Sequence, residues 1–171
     1  FAKDLGNSKT VDELKAQIRE DLEIRMKNEQ ASGQREELME KLVDAHSFDT
    51  PAGMVERELM SMARSQAMRM ARQGADLKTF DIKAFREKNG DLAVKRVKGT
   101  LLLELISEKE KITVSDEEVN AALAAAARST GQKIEAVRKY YEDQEGGLDN
   151  LQITLLHEKT LGHLLSKAKK V

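Results

Sequence analysis

The chain has 171 residues, 35% of them charged, with 29 Lys plus Arg against 30 Asp plus Glu. Signs that nearly cancel argue against a dedicated nucleic-acid binder, which shows a net basic stripe. Cysteine is absent, which excludes disulfides and thiolate sites and suits a reducing compartment. No apolar run approaches the ~18 residues of a membrane span. Tryptophan is absent and aromatic residues are 4%, so the core must be aliphatic and thin. The length fits one or two domains. The first residues, from Phe1 to Gly6, lack both an initiator methionine and a signal-peptide pattern. The expectation is that the chain begins inside a longer protein.

Residues 1–10 read as a connector. Thr10 and Glu13 have capping-box spacing, so a helix is predicted from Val11 to about Ala45. Val11, Leu14, Ile18 and Leu22 give it an apolar face at the front, and Leu38, Leu42 and Val43 another at the back. The middle, 23–37, is mostly polar, and Gly33 is a place to bend or break. Unbroken, the helix would be about 52 Å long, against about 40 Å for a compact globule of this size. One long helix therefore predicts an elongated molecule; the alternative is two helices hinged at Gly33.

After a loop over 46–50, Thr50 and Pro51 read as N-cap and first helical residue. The predicted helix runs to about Gln73 and ends near Gly74. It holds the only proline and five of the seven methionines. At 100° per residue Val55, Leu59, Met62 and Met70 share one stripe, which can pack in a core. Met54, Met60 and Met68 fall on the other side, among Arg57, Ser61, Arg64 and Ser65. Methionine is flexible and polarizable, so this second stripe suits apolar partners of varied sequence. The bland reading is that other helices cover both stripes.

Residues 74–79 are predicted as a loop. Asp81 caps a helix that contains Phe85 and is weakened at Asn89-Gly90. Beyond it, Leu92 to Glu108 is the clearest amphipathic stretch, with Val94, Val97, Leu101, Leu102, Leu105 and Ile106 on one face. A polar link over 109–114 leads to Ser115 and Glu118, a second capping box. The alanine-rich helix that follows reaches about Arg128 and is broken over 129–132. A shorter helix, Ile134 to Glu142, carries Tyr140 and Tyr141. Such a pair usually places one ring in the core and one at its edge. Gly146-Gly147 reads as a turn. The last helix runs from Leu148 to about Lys169, with Leu151, Leu155, Leu161, Leu164 and Leu165. Lys167, Lys169 and Lys170 suit the negative end of its dipole. No segment alternates in the manner of a strand, so the fold class is all-α.

Site chemistry is sparse. His157-Glu158 with His163 fails the zinc-hydrolase spacing, because position 161 is leucine. Rings six residues apart diverge by about 120° around a helix, so two partly exposed helix histidines are expected and no metal. No phosphate loop or dinucleotide fingerprint is present, and the carboxylates mostly alternate with Lys and Arg as on solvated faces. No catalytic residue and no cofactor are expected.

The order of the pieces resembles a known family, the C-terminal substrate-binding domain of bacterial trigger factor. Phe1-Ala-Lys-Asp-Leu-Gly6 resembles its entry segment and Val11-Asp-Glu-Leu-Lys-Ala-Gln-Ile-Arg19 the start of its long helix. Phe48-Asp-Thr-Pro51, then Met54-Val-Glu-Arg-Glu-Leu59, resembles its junction into a first arm. Val94-Lys-Arg-Val97 with Leu101, Leu102, Leu103 and Glu104 resembles the returning helix of that arm. Residues 112–119, Val137-Arg-Lys-Tyr-Tyr141 and 148–169 resemble the second arm and the closing helix. The resemblance spans the whole chain and rests on shared order, since each motif alone is weak. It implies a connector (1–10), a long body helix (11–50), a first helical arm (51–110), and a second arm with closing helix (111–171), around a crevice.

The resemblance further implies ATP-independent binding of nascent or unfolded polypeptides, a cytoplasmic location and a possible homodimer. The family's ribosome-docking and prolyl-isomerase domains do not match any part of this chain. Ribosome contact is therefore expected only through the missing N-terminal domain, with no enzyme activity here. Neither nucleic acid nor membrane is an expected partner. Met54, Met60 and Met68, helped by Tyr140 and Leu151, are the expected client contacts. Two rival readings are the helical domain of a periplasmic parvulin-type chaperone and a helical adaptor for one folded partner.

Overall fold

The structure is a computed structural model, and it describes residues 10–144 and 146–168. Six α-helices and one 3-10 turn account for most of them, with no strand among the described residues. The all-α expectation therefore holds. The motif at Phe1 to Gly6, the reading of 1–9 as a connector, and Lys169 and Lys170 lie outside the described residues. Contacts divide the chain into two compact units, one up to Lys41 and one from Leu42 onward.

The first unit is the greater part of α1 (Val11–Asp44). The predicted capping box forms. The Thr10 backbone N–H donates to Glu13 Oε2, and the Glu13 N–H donates to Thr10 Oγ1, both at 3.2 Å. The helix passes through Gly33 without a break. A single mid-helix glycine costs only about 1 kcal/mol, and the flanking 31 and 32 are compatible with helix. Val11, Ile18, Leu22, Ile24 and Met26 are all exposed on it.

The second unit begins with the end of α1, where Val43 is buried. The His46 ring closes this end, its Nδ1 donating to the Leu42 carbonyl at 2.8 Å. α2 (Ala52–Arg72) starts one residue later than expected. Pro51, not Thr50, is the N-cap. Its ψ of 122° is extended, and its carbonyl takes the Met54 and Val55 amides. No side chain caps this end.

Gly74 ends the helix at φ +75°. The stretch that follows is not a plain loop, because a 3-10 turn (Leu77–Thr79) is capped by Asp76. Asp81 then caps α3 (Ile82–Lys109), accepting from the Lys83 and Ala84 amides. The expected weak point at Asn89-Gly90 does not interrupt α3. Asn89 Nδ2 donates to the Phe85 carbonyl at 2.7 Å, back along the same helix.

α3 packs against α2 on one side and α6 (Gly147–Lys167) on another. Serving two neighbours, it buries Ala93, Val97, Gly99, Leu102, Leu103 and Ser107. The single-face reading is corrected at Leu105, which is 61% exposed. The first core cluster joins Leu59 and Met62 of α2 to Ala93 of α3, flanked by Val55 and Phe85.

α3 ends in a left-handed turn on Lys111, at φ 56°. The Ile112 amide reaches the Ser107 carbonyl at 2.8 Å, the pattern of a Schellman stop. α4 (Asp116–Thr130) opens with the predicted capping box of Ser115 and Glu118. It runs two residues past the expected end, to a left-handed Gly131. α5 (Ile134–Glu142) has the expected bounds.

Gly146 turns the chain at φ +65° into α6. At Gly147 a Cβ would sit 1.9 Å from the Tyr141 carbonyl oxygen, so only glycine fits. The second core cluster gathers Val119, Leu123 and Ala127 of α4 with Val137 of α5, covered by Tyr141, Leu151 and Leu155. Lys167 does not serve the helix end alone: its Nζ lies 2.7 Å from Glu110.

Candidate functional site

The two stripes of α2 meet different fates. Leu59, Met62 and Ala63 are buried. On the opposite side Met60 and Met68 are 45% and 56% exposed. Met54 is half-buried. The three methionines fall within a sector of about 120° around the helix axis, shared with the exposed Arg57, Ser61 and Arg64. Ion pairs from Glu56 to Arg86 and from Glu58 to Arg96 tie α2 to α3.

Tyr140 of α5 is 63% exposed. It meets the half-buried Tyr141 edge-on, with centroids 6.0 Å apart. Leu151 of α6 is half-buried against the second core cluster, so much of its surface is already used in packing. α5 and α6 pack together. α2 packs on α3 and the 3-10 turn alone among the described residues. The methionine side and Tyr140 thus stand on helices that do not pack on one another.

Two features escaped the sequence reading. Leu92 and Leu105 of α3 are exposed apolar residues; a helix with two neighbours has no single polar face to mark them. There is also a shallow groove of about 340 Å³ lined by residues including Val43, Asp44, His46, Asp91, Lys95 and Lys98. Lys95 Nζ stands 4.0 Å from Asp44, and Lys98 lies over the Phe48 ring, 5.5 Å from its centroid. Its charges are mixed, and no nucleophile is paired with a base in it.

The two histidines of α6, His157 and His163, are partly exposed, as expected. His163 Nε2 contacts Glu110 at 3.1 Å. His157 is different: its Nε2 is buried with no hydrogen-bond partner. Burial pulls its pKa below the ordinary histidine value, with nearby Glu104 opposing more weakly. Among the described residues no cluster of three or more His, Asp or Glu could hold a metal ion. Among the described residues no helix is long and apolar enough to cross a membrane.

The family model of the bacterial trigger factor C-terminus matches residues 10–166, and the chain belongs to that family. Trigger factor from Koribacter versatilis is 36% identical over 98% of this chain and 39% of its own length. That from Solibacter usitatus is 33% identical over 99% of this chain and 40% of its own. The chain thus spans about two fifths of the length of these relatives. A solved structure of trigger factor domains from Thermotoga maritima shares the fold. Its TM-score is 0.59 at 20% identity, over 81% of this chain and 83% of that one.

Proposed function

We propose that this chain is the client-binding part of an ATP-independent chaperone, holding nascent or unfolded polypeptides on exposed apolar surfaces. The observation that carries this is the split of α2, where one stripe is packed and Met60 and Met68 are left open to water. The arms expected from the resemblance, 51–110 and 111–171, supply one surface each, the methionine side and the side of Tyr140 and Leu151.

Magnitudes set the mode of binding. Burying a whole methionine is worth roughly 1.5–3 kcal/mol. Met60 and Met68 are each about half exposed, so together they offer only about 1.5–3 kcal/mol more. Association costs an estimated 4–15 kcal/mol. A single surface therefore holds nothing. Two surfaces reached by one long client gain through effective concentration, and weak contacts let the client leave without nucleotide.

In this reading the cytoplasm is the compartment. The chain contributes no catalysis, and ribosome contact and prolyl isomerisation belong to other parts of the full-length protein. Homodimerisation is compatible with it. The test is a pair of substitutions, Met60→Ser with Met68→Ser, assayed by light scattering from an unfolded client without nucleotide. Aggregation should be suppressed less well, while the thermal midpoint moves by no more than about 2 °C. A lowered midpoint with unchanged suppression would assign both residues to the core.

A further inference from the structure

The α3–α4 link is the sole covalent connection between α2–α3 and α4–α5. It turns on a lysine in the left-handed region, Lys111 at φ 56°, where a residue with a Cβ is strained. Such a turn persists when something around it holds it. On α3 and α4 it is held by their own end bonds and by Val114, which packs against the second core cluster.

α6 reaches both ends of this link. At the near end Glu110 Oε2 receives Lys167 Nζ at 2.7 Å and His163 Nε2 at 3.1 Å. At the far end Lys159 Nζ donates to the Thr113 carbonyl at 2.8 Å and to both Glu118 oxygens at 2.7 and 2.9 Å. Glu118 is also the capping residue that starts α4. Lys159, His163 and Lys167 are spaced four apart, so they form one stripe of about 12 Å along α6. A helix that merely carried solvated lysines would have no reason to place every member of such a stripe on the same short link.

We infer that this stripe is a clasp: α6 holds the α3–α4 link in its turned form through Lys159 and Lys167, with His163 as an auxiliary. The Lys159 and Lys167 ion pairs are both partly exposed. Contacts of that kind are individually weak and salt-screened. The clasp is therefore reversible, and the link opens locally without unfolding the helices on either side.

Amide hydrogen exchange on the whole chain tests this. In the double variant Lys159→Met, Lys167→Met the stems stay and the charges go. Amides from 111 to 118 should exchange at least about fivefold faster, while those of the α4 interior and of α2 stay within about twofold. Link amides that stay within about twofold of the unaltered chain would overturn the proposal. A uniform acceleration in every helix would overturn it too, because the lysines would then serve the fold as a whole.

Two further measurements cover a variant that folds poorly. In the unaltered chain about 1 M salt, where the Debye length falls to about 3 Å, should speed the same amides selectively. Glu110→Lys and Lys167→Glu should each speed them alone and restore protection together. Failure of that reciprocal rescue would leave packing, not charge, as what holds the link.

Discussion

Gly147 and Gly90 show why a glycine cannot be judged from sequence alone. At Gly147 a side chain would run into the Tyr141 carbonyl, a backbone atom that cannot swing aside. Gly147→Ala should lower stability by about 2 kcal/mol or more. At Gly90 nothing lies within 4 Å of the Cβ position and the residue is inside a helix. Gly90→Ala should raise stability by about 0.5–1 kcal/mol. Urea unfolding of both variants checks the opposite signs. The sequence marks both as breakers; Gly90 breaks nothing, while beside Gly147 it is Gly146 that makes the turn, and Gly147, the first residue of α6, allows the close approach to Tyr141. The weak spot at Asn89-Gly90 is overridden because Ala93 and Val97 bury the helix just beyond it. By contrast, local signals that carry their own hydrogen bonds were legible. Thr10 with Glu13, Ser115 with Glu118, and Asp81 all cap as their spacing demands. Thr50 did not, because Pro51 stayed extended.

At the scale of helices, α6 carries His157 and the partners of Glu110, two groups through which pH acts on stability. Burial depresses the pKa of His157, whose Nε2 has no partner. The unfolded chain then takes up the proton more readily than the folded one. Its contribution to stability is present above the ordinary histidine range and is lost as pH falls through it. Glu110 acts in the same direction lower down. Its carboxyl pKa is held down by the Lys167 and His163 hydrogen bonds, so its share is lost as pH falls below the ordinary carboxylate range. Urea midpoints at about pH 7 and about pH 5 should therefore differ, and His157→Leu should shrink that difference. An unchanged difference in the variant would assign the acid sensitivity elsewhere. Periodicity located α6 and its leucines well. It missed the exposure of Leu105, because α3 has two neighbours on different sides and its buried residues do not form one stripe.

For the whole molecule, Met60 and Met68 lie on a helix that does not pack on those of Tyr140 and Leu151, so under the proposed function client length becomes the variable that matters. Short unfolded peptides of about ten residues engage one surface and should bind too weakly to measure. Chains long enough to touch both should bind far more tightly, with affinity falling again only slowly as the connecting stretch grows. Fluorescence anisotropy over a length series of one unfolded client checks this; equal affinity at every length would mean a single site. The family was legible in the order of its motifs from Thr10 onward, and the family match to residues 10–166 agrees with it. Helical spacing put Met60 and Met68 on a second stripe but left open whether other helices cover it; in the fold both are exposed. That their helix does not pack on the helix of Tyr140 was not legible, since periodicity places a residue on its own helix and says nothing about which helices are neighbours.

The open methionines of α2 carry one more consequence, an oxidative one. A thioether exposed to peroxide takes up an oxygen atom to become a sulfoxide, with water released, and the apolar side chain turns polar. Met60 and Met68 stand open while Met62, two residues from one of them, is buried. Mild peroxide should therefore mark the exposed side of the helix and spare its packed side, and peptide mass spectrometry would read the order. Holding by this surface would fade under oxidant with the fold intact, and methionine sulfoxide reductases would restore it.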